Sequence, residues 1–227
     1  MTSILQEQKH QYSSFKKYLA GEHGEQYPAT DILIRHQTSE KDGLVVIKRA
    51  NFPWGYASPG GMLDKNMPLQ RNAFKEAGEE IGLEIMIDNH SFFRPYVLYV
   101  PGQDPRAEII SIAYTGTGIG RLKHGSDAKY AEVFTLDEIA DMLFLPVGAH
   151  DKPEQKNVWA AKHHKVLYAL YLLEQDDAQK QRKRDSLFTE AKRSNMENIV
   201  SSYYYEINDM LEEEQRIQQR IRTEGGQ

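Results

Sequence analysis

The sequence predicts an α+β fold in one compact unit, followed by a long helical extension. Three observations carry this. Short β-branched runs and helical periods are mixed without regular βαβ alternation, and a sustained three-and-four spacing of apolar residues is confined to the C-terminal part. At 227 residues the chain has room for one domain of ordinary size and an appendage.

In chain order, residues 1–26 open with Ile4, Tyr12, Phe15 and Leu19 at helical spacing, closed by Gly21 and Gly24, which predicts a leading helix over 3–20. From Tyr27 the runs ATDILIRH and GLVVIKRA, separated by the polar TSEKDG, read as neighbouring strands. A loop rich in Pro, Gly and aromatics, NFPWGYASPGG, leads to a helix from Pro68 to Ile81 that Gly82 ends. Two strands follow, RPYVLYV and EIISIAYTG, with the turn-forming PGQDPR between them. AEVFTL then enters a short helix over Asp137 to Leu143. A helix from Asn157 to Leu173, striped by Val158, Ala161, Val166, Leu167, Leu170 and Leu173, closes a domain spanning 27–174.

Residues 175–227 form a charged extension in which acidic side chains slightly outnumber basic ones, so the run QKQRKR reads as part of a solvated helix. From Met196, positions 196, 200, 203, 207, 210, 214, 217 and 221 read Met, Val, Tyr, Ile, Met, Glu, Ile and Ile. A helix with that seam must bury one face, against a second chain or against its own domain. Association into a homo-oligomer is the expectation.

Composition narrows the function. With no cysteine, disulfides, thiolate metal sites and a Cys nucleophile are excluded, and a reducing cytoplasm fits. A net charge of -5 argues against broad nucleic-acid binding, which needs a basic surface. No run approaches the roughly 20 apolar residues of a membrane span, and the N-terminus lacks the pattern of a signal peptide. A soluble protein is the expectation, with small anionic ligands open to it where a metal neutralises them.

The chemistry concentrates in residues 60–83, GGMLDKNMPLQRNAFKEAGEEIGL. Glu76, Glu79 and Glu80 fall at i, i+3 and i+4, so the helix is expected to aim all three carboxylates at one point. Alone they would repel one another and read as a solvated face. A hard divalent cation reverses that, since Mg²⁺ is shared between a few carboxylates, water and substrate phosphates. Gly60 and Gly61 allow the backbone close approach, and a carbonyl there can complete a metal site.

This segment resembles the signature of the Nudix hydrolase family. Counting from Gly61, the residues Glu76, Ala77, Glu79, Glu80, Gly82 and Leu83 fall in register with it, while Met67 replaces its first Glu and Lys75 its Arg. In the family those two positions pair and brace the loop against the helix, so their joint loss is coherent. The flanks LVVIKRANFPWGYASPGG, PGQDPRAEIISIAY, DAKYAEVFTLDEI and WAAKHHKVLYAL resemble bacterial ADP-ribose pyrophosphatases, extending the likeness over 27–174.

The resemblance implies an α/β/α sandwich with a mixed sheet and in-line attack of water on phosphorus. It implies Glu76 and Glu80 as principal ligands of Mg²⁺ (or Mn²⁺), Glu79 as a further ligand or the residue orienting water, and the Gly60 carbonyl as completing the site. For the base, Glu79 from the helix and Glu132 from a loop are both candidates, Glu132 reading equally as an ordinary charge beside a strand. Phe52 and Trp54 can stack on a purine or pack their own loop. Arg49 and Arg106 can clamp phosphate or form surface ion pairs. His163 and His164, without an acidic partner nearby in sequence, read as structural or solvent-facing. The expected activity is hydrolysis of a nucleoside diphosphate linked to another group, foremost ADP-ribose to AMP and ribose 5-phosphate. The competing reading is a catalytically weakened domain that senses ADP-ribose or a nucleotide, or serves as a scaffold.

Overall fold

The structure is a computed structural model and describes residues 26–99, 104, 106–123, 128–148 and 157–203. The leading helix expected over 3–20, most of PGQDPR and the seam beyond residue 203 lie outside the described residues.

One eight-stranded mixed sheet organises the molecule. Its axis is β1 (Gln26–Gln37), paired in parallel with β7 (Glu108–Ile119) over Gln26↔Glu108 to Arg35↔Thr117. On the other side β1 pairs antiparallel with β2 (Asp42–Arg49), which is joined by β3 (Tyr56–Ala57) and by β8 (Ala128–Phe134). β4 (Gly60–Met62) pairs antiparallel with the first half of β1. β5 (Glu84–Ile87) and β6 (Tyr96–Leu98) both pair with β7.

Successive strand side chains point to opposite faces, so a strand covered on both sides reads as continuously apolar. β1 and β2 do so. Ile32, Ile34, Val45 and Ile47 pack with Ala73, Ala77 and Ile81 of α1 (Leu69–Ile81), while Leu33, Leu44 and Val46 pack with Val166, Leu167 and Tyr168 of α4 (Lys162–Gln181). The expected α/β/α sandwich is therefore observed. Two short helices complete it, α2 (Asn89–Phe93) and α3 (Leu136–Met142), the latter begun by a reciprocal capping box between Thr135 and Glu138.

α1 ends as expected at Gly82, whose φ of 68° lies in the left-handed region and whose N–H donates to the Gly78 carbonyl. The closing helix departs from expectation at both ends. It starts at Lys162, because Val158 to Ala161 are held in extended backbone against β3 through the Tyr56↔Trp159 bridge, and it runs unbroken past residue 174 to Gln181.

The chain then turns back into a helix over 190–203, α5. The turn is fastened by Asp176, which accepts hydrogen bonds from Ser186 Oγ and the Leu187 N–H at 2.7 and 2.8 Å and ion-pairs with Lys180 and Arg193. Phe188, Met196 and Tyr203 are buried in the same core as Trp159 and Tyr168. The first part of the apolar seam is thus covered by the chain's own domain, which corrects the expectation of an intermolecular face for positions 196, 200 and 203. Among the described residues no helix is long and apolar enough to cross a membrane.

Candidate active site

Where β4 runs against β1, the two glycines are dictated by space. A Cβ on Gly60, whose φ is +154°, would sit 2.2 Å from the Thr30 carbonyl oxygen, and one on Gly61 would sit 2.5 Å from Glu76 Oε2. Only glycine at position 60 lets this strand close onto the β1 backbone, while glycine at 61 makes room for the end of the Glu76 side chain. Asn72 of α1 ties the following loop down: its amide donates to Thr30 Oγ1 (2.8 Å) and the Met62 carbonyl (3.3 Å) and accepts from the Asp64 N–H (3.0 Å).

This frame opens a cavity of about 240 Å³ whose lining includes Glu76, Glu80, Arg49, Arg106, Asp31, His163 and His164, with Gly60 and Gly61 at its edge. Of the three carboxylates expected to converge, two do. Glu80 is buried and accepts from the Gly60 N–H at 2.9 Å, and Glu76 is largely buried. Glu79 points outward, its side chain 62% exposed and 3.4 Å from Lys75.

Burial is the main influence on both inner carboxyls. It raises Glu80 to about 7, against the lowering effects of the Gly60 N–H and Arg49, with Glu76 and Asp31 adding to the rise. It also raises Glu76, against the nearby Lys75.

The brace that Met67 cannot form is made by another residue. Lys75 Nζ lies 3.0 Å from Asp64 Oδ2 and 3.4 Å from Glu76 Oε1, so Asp64 ties the loop to the helix from three positions earlier in the chain. The expected loss of the brace is corrected to a relocation.

The arginines are both present at the cavity. Arg106 is held by Asp104 through two side-chain hydrogen bonds of 2.9 and 2.7 Å. Burial alone would raise Asp104, but the Arg106 hydrogen bonds outweigh it and keep the carboxyl below its ordinary value. Arg49 Nε is buried without a hydrogen-bond partner among the described residues, and burial, then Arg106, lowers its pKa.

Glu132 is not brought here. Its carboxylate lies 3.5 Å from Lys41 and lines a separate cleft with Thr38, Glu40 and Lys41. Phe52 and Trp54 meet edge to face at 5.3 Å in the loop that follows the cavity-lining Asn51.

Of the two readings of the histidines, the solvent-facing one is corrected. His163 and His164 are buried, with ring centroids 3.9 Å apart, and the acidic neighbour of His164 is Asp31, 3.6 Å away and supplied by β1 rather than by nearby sequence. Burial lowers both, His164 further because His163, Arg49 and Arg106 surround it. Asp31 itself accepts from Ser58 Oγ at 2.8 Å and Ser111 Oγ at 2.6 Å. An Asp directly before the apolar Ile32, Leu33 and Ile34 is the available signal for it.

A family model described as NUDIX domain matches residues 26–156, more than half of the chain. The chain belongs to the NUDIX domain family. Its NUDIX domain is similar to an ADP-ribose pyrophosphatase of Methanocaldococcus jannaschii, at 36% identity over 109 residues, which is 46% of this chain. The match spans 62% of that relative's length. Among solved structures, the NUDIX domain and its flank are similar to a bifunctional NMN adenylyltransferase/ADP ribose pyrophosphatase from Francisella tularensis, at 17% identity and a TM-score of 0.47, covering 76% of this chain and 48% of that one. A MutT/nudix family protein from Enterococcus faecalis gives 20% identity and a TM-score of 0.43, over 56% and 50% of the two chains.

Proposed function

We propose that the protein hydrolyses a nucleoside diphosphate linked to another group, foremost ADP-ribose to AMP and ribose 5-phosphate, with Mg²⁺ or Mn²⁺ as cofactor. The observation that carries this reading is the meeting of Glu76 and Glu80 with Arg49 and Arg106 around one cavity.

The donor set fits a hard cation. Glu76 stands close enough to raise the Glu80 carboxyl, the bare backbone of Gly61 makes room for the Glu76 carboxylate, and the Gly60 carbonyl adds a further oxygen ligand to this proposed set. Glu76 and Glu80 would hold the ion with Gly60, and Glu79 would share it through water. Bound there, it would neutralise pyrophosphate charge and lower the pKa of water.

The chain's own groups have separate tasks in this reading. The Gly60 N–H fixes the Glu80 carboxylate, so its direction is set before substrate arrives. Arg106, steadied by Asp104, presents its guanidinium to one phosphate, and the unpartnered Arg49 Nε is free to donate to the other. With Glu132 turned away, Glu79 keeps the role of accepting the proton of the attacking water in this reading, its exposed side chain swinging in from Lys75. Phe52 and Trp54, beside Asn51, supply the aromatic faces for adenine.

The relative from Methanocaldococcus jannaschii supports ADP-ribose as substrate. The relocated brace supports a working enzyme over a decayed sensor, because the loop and helix remain tied. Apolar positions 207, 210, 217 and 221 support association with a second copy, and the lack of cysteine supports a cytoplasmic setting. A monomeric mass in light scattering would remove the association.

The test is AMP release from ADP-ribose with and without Mg²⁺. Glu80→Gln should lower kcat at least about 100-fold. Preferential turnover of triphosphates would reassign the substrate. Inertness towards every nucleotide, combined with a ligand-induced thermal shift, would replace hydrolysis by binding.

A further inference from the structure

We infer a second cation site in the same cavity, formed by Asp31, His163 and His164, that takes a nitrogen-preferring divalent transition ion such as Zn²⁺ rather than Mg²⁺. Its ligands come from β1 and α4 rather than from α1, and it does not rest on the proposed hydrolysis. Each of the three residues offers one ligand atom, and these atoms lie within 4.8 Å of one another. In a tetrahedral shell, ligand atoms bonded at about 2.0–2.2 Å lie about 3.4 Å apart, so the widest pair closes by up to about 1.4 Å, shared between two side chains.

The bonding around the trio points the same way. His164 Nδ1 is engaged by Ser58, whose hydroxyl lies 2.9 Å away and whose N–H donates to it at 3.4 Å, which fixes the ring and leaves Nε2 as the nitrogen for an ion. His163 is only 3% exposed, and its Nδ1 has no hydrogen-bond partner among the described residues although its ring lines the cavity. A buried imidazole nitrogen left without a partner is costly unless something fills the place.

Asp31 is already oriented by hydroxyl donors. Ser58 and Ser111 each donate to one of its oxygens, the kind of outer support that metal-binding carboxylates carry. The Ser58 hydroxyl also lies 2.9 Å from His164 Nδ1, so one serine links two of the three ligands.

Charge and ligand type decide the class of occupant. Three carboxylates, Asp31, Glu76 and Glu80, line the cavity against Arg49 and an Arg106 already neutralised by Asp104, so a cation is favoured there. Two imidazoles with one carboxylate suit Zn²⁺, Fe²⁺ or Mn²⁺, whereas Mg²⁺ prefers an all-oxygen shell. With three protein ligands, the ion keeps open positions for water or an anion oxygen.

The full chain, stripped by a chelator and titrated with Co²⁺ alone, tests the site. The expected result is a visible absorption band of nitrogen-ligated Co²⁺ that survives Glu80→Gln. In His163→Gln the affinity should fall at least about tenfold, since even supporting residues of metal sites are worth that much. A band unchanged in His163→Gln, or lost in Glu80→Gln instead, overturns the site.

Because a variant at a buried histidine can fail to fold, the unaltered protein supplies a second reading. Ring nitrogens of two of its 8 histidines should shift on adding one equivalent of Zn²⁺, in spectra of nitrogen-labelled histidine. Unmoved ring nitrogens overturn the proposal.

Discussion

Replacing Gly61 by Ala would move the carboxylate of Glu76 with little other change. The added Cβ would stand 2.5 Å from Oε2, 2.6 Å from Cδ and 3.0 Å from Oε1 of Glu76, whereas ordinary contact begins at 3.4 Å. The obstructing atoms are the end of a side chain, so the carboxylate retreats by about 1 Å and the strand stays in place. A misplacement of about 1 Å in catalytic geometry costs on the order of 100-fold in rate.

Stability should move the other way or hardly at all, because removing a glycine from a backbone that alanine accepts gains up to about 1 kcal/mol through the unfolded chain. Steady-state release of AMP from ADP-ribose, read beside thermal melting, separates the two effects. A fall in kcat of about 100-fold at an unchanged Tm is expected. An unchanged kcat would refute the placing of Glu76 at the reacting centre, and a collapse in Tm would refute the claim that only a side chain has to yield.

Three further outcomes follow from the geometry. Since the Glu80 carboxyl lies near 7 and must be ionised to hold a cation, activity at limiting Mg²⁺ should rise with pH through that value, and saturating Mg²⁺ should move the rise to lower pH; a midpoint indifferent to Mg²⁺ would count against Glu80 as a ligand. Lys75→Ala and Asp64→Asn should each reduce activity by about tenfold or less, and the double variant should be no worse than the poorer single one, because both break the same brace; strictly additive losses in kcat/KM would show that they act separately. Burial raises the Asp176 carboxyl, but donors from Ser186, Lys180, Leu187 and Arg193 outweigh it and hold it below the ordinary range. Its contribution is therefore present above the unfolded value of about 4 and lost as pH falls below it. Asp176→Asn should cost about 1–2 kcal/mol at neutral pH by weakening the bonds that Ser186, Leu187 and Lys180 make to a charged acceptor, Arg193 keeping Asp177 and Glu197, and its Tm should depend less on pH below 4 than that of the natural chain, as thermal melts across an acid series would show.

The parts of this protein that sequence made legible are those whose cause is local. Pro68 and Gly82 bracket α1 because helix ends are decided by the residues at them, and the apolar runs of β1 and β2 announce burial on both faces. Short elements such as β3, β4 and α2, of two to five residues, carry no period to read.

At the site, spacing on α1 correctly joined Glu76 to Glu80 but could not show that Glu79 leans outward to Lys75. Glu132 was drawn towards the site by resemblance, yet pairing of β8 with β2 places its carboxylate beside Lys41. His164 lacked a visible acidic neighbour because Asp31 reaches it across the fold, from β1 to α4. Likewise, the period of the seam showed that Met196 and Tyr203 bury a face but not which surface receives it.

The parallel pairing of β1 with β7 has a consequence for the order in which the molecule can be made. Gln26 faces Glu108, and Arg35 faces Thr117, so the sheet's axis joins segments far apart in the chain. Closing so long a loop is an entropic barrier that precedes any reward from contact, and sheets with such distant partners fold slowly. On the ribosome, Ile32, Leu33 and Ile34 emerge long before β7 and longer still before α4, which pair with one edge of β1 and cover one of its faces. β2, β4 and α1 follow sooner, but until β7 and α4 arrive that edge and that face stay open, the kind of surface that invites association between nascent chains and engages chaperones. Asp31 directly precedes that run, so a charged side chain of the cavity also flanks an adhesive stretch of the unfinished protein.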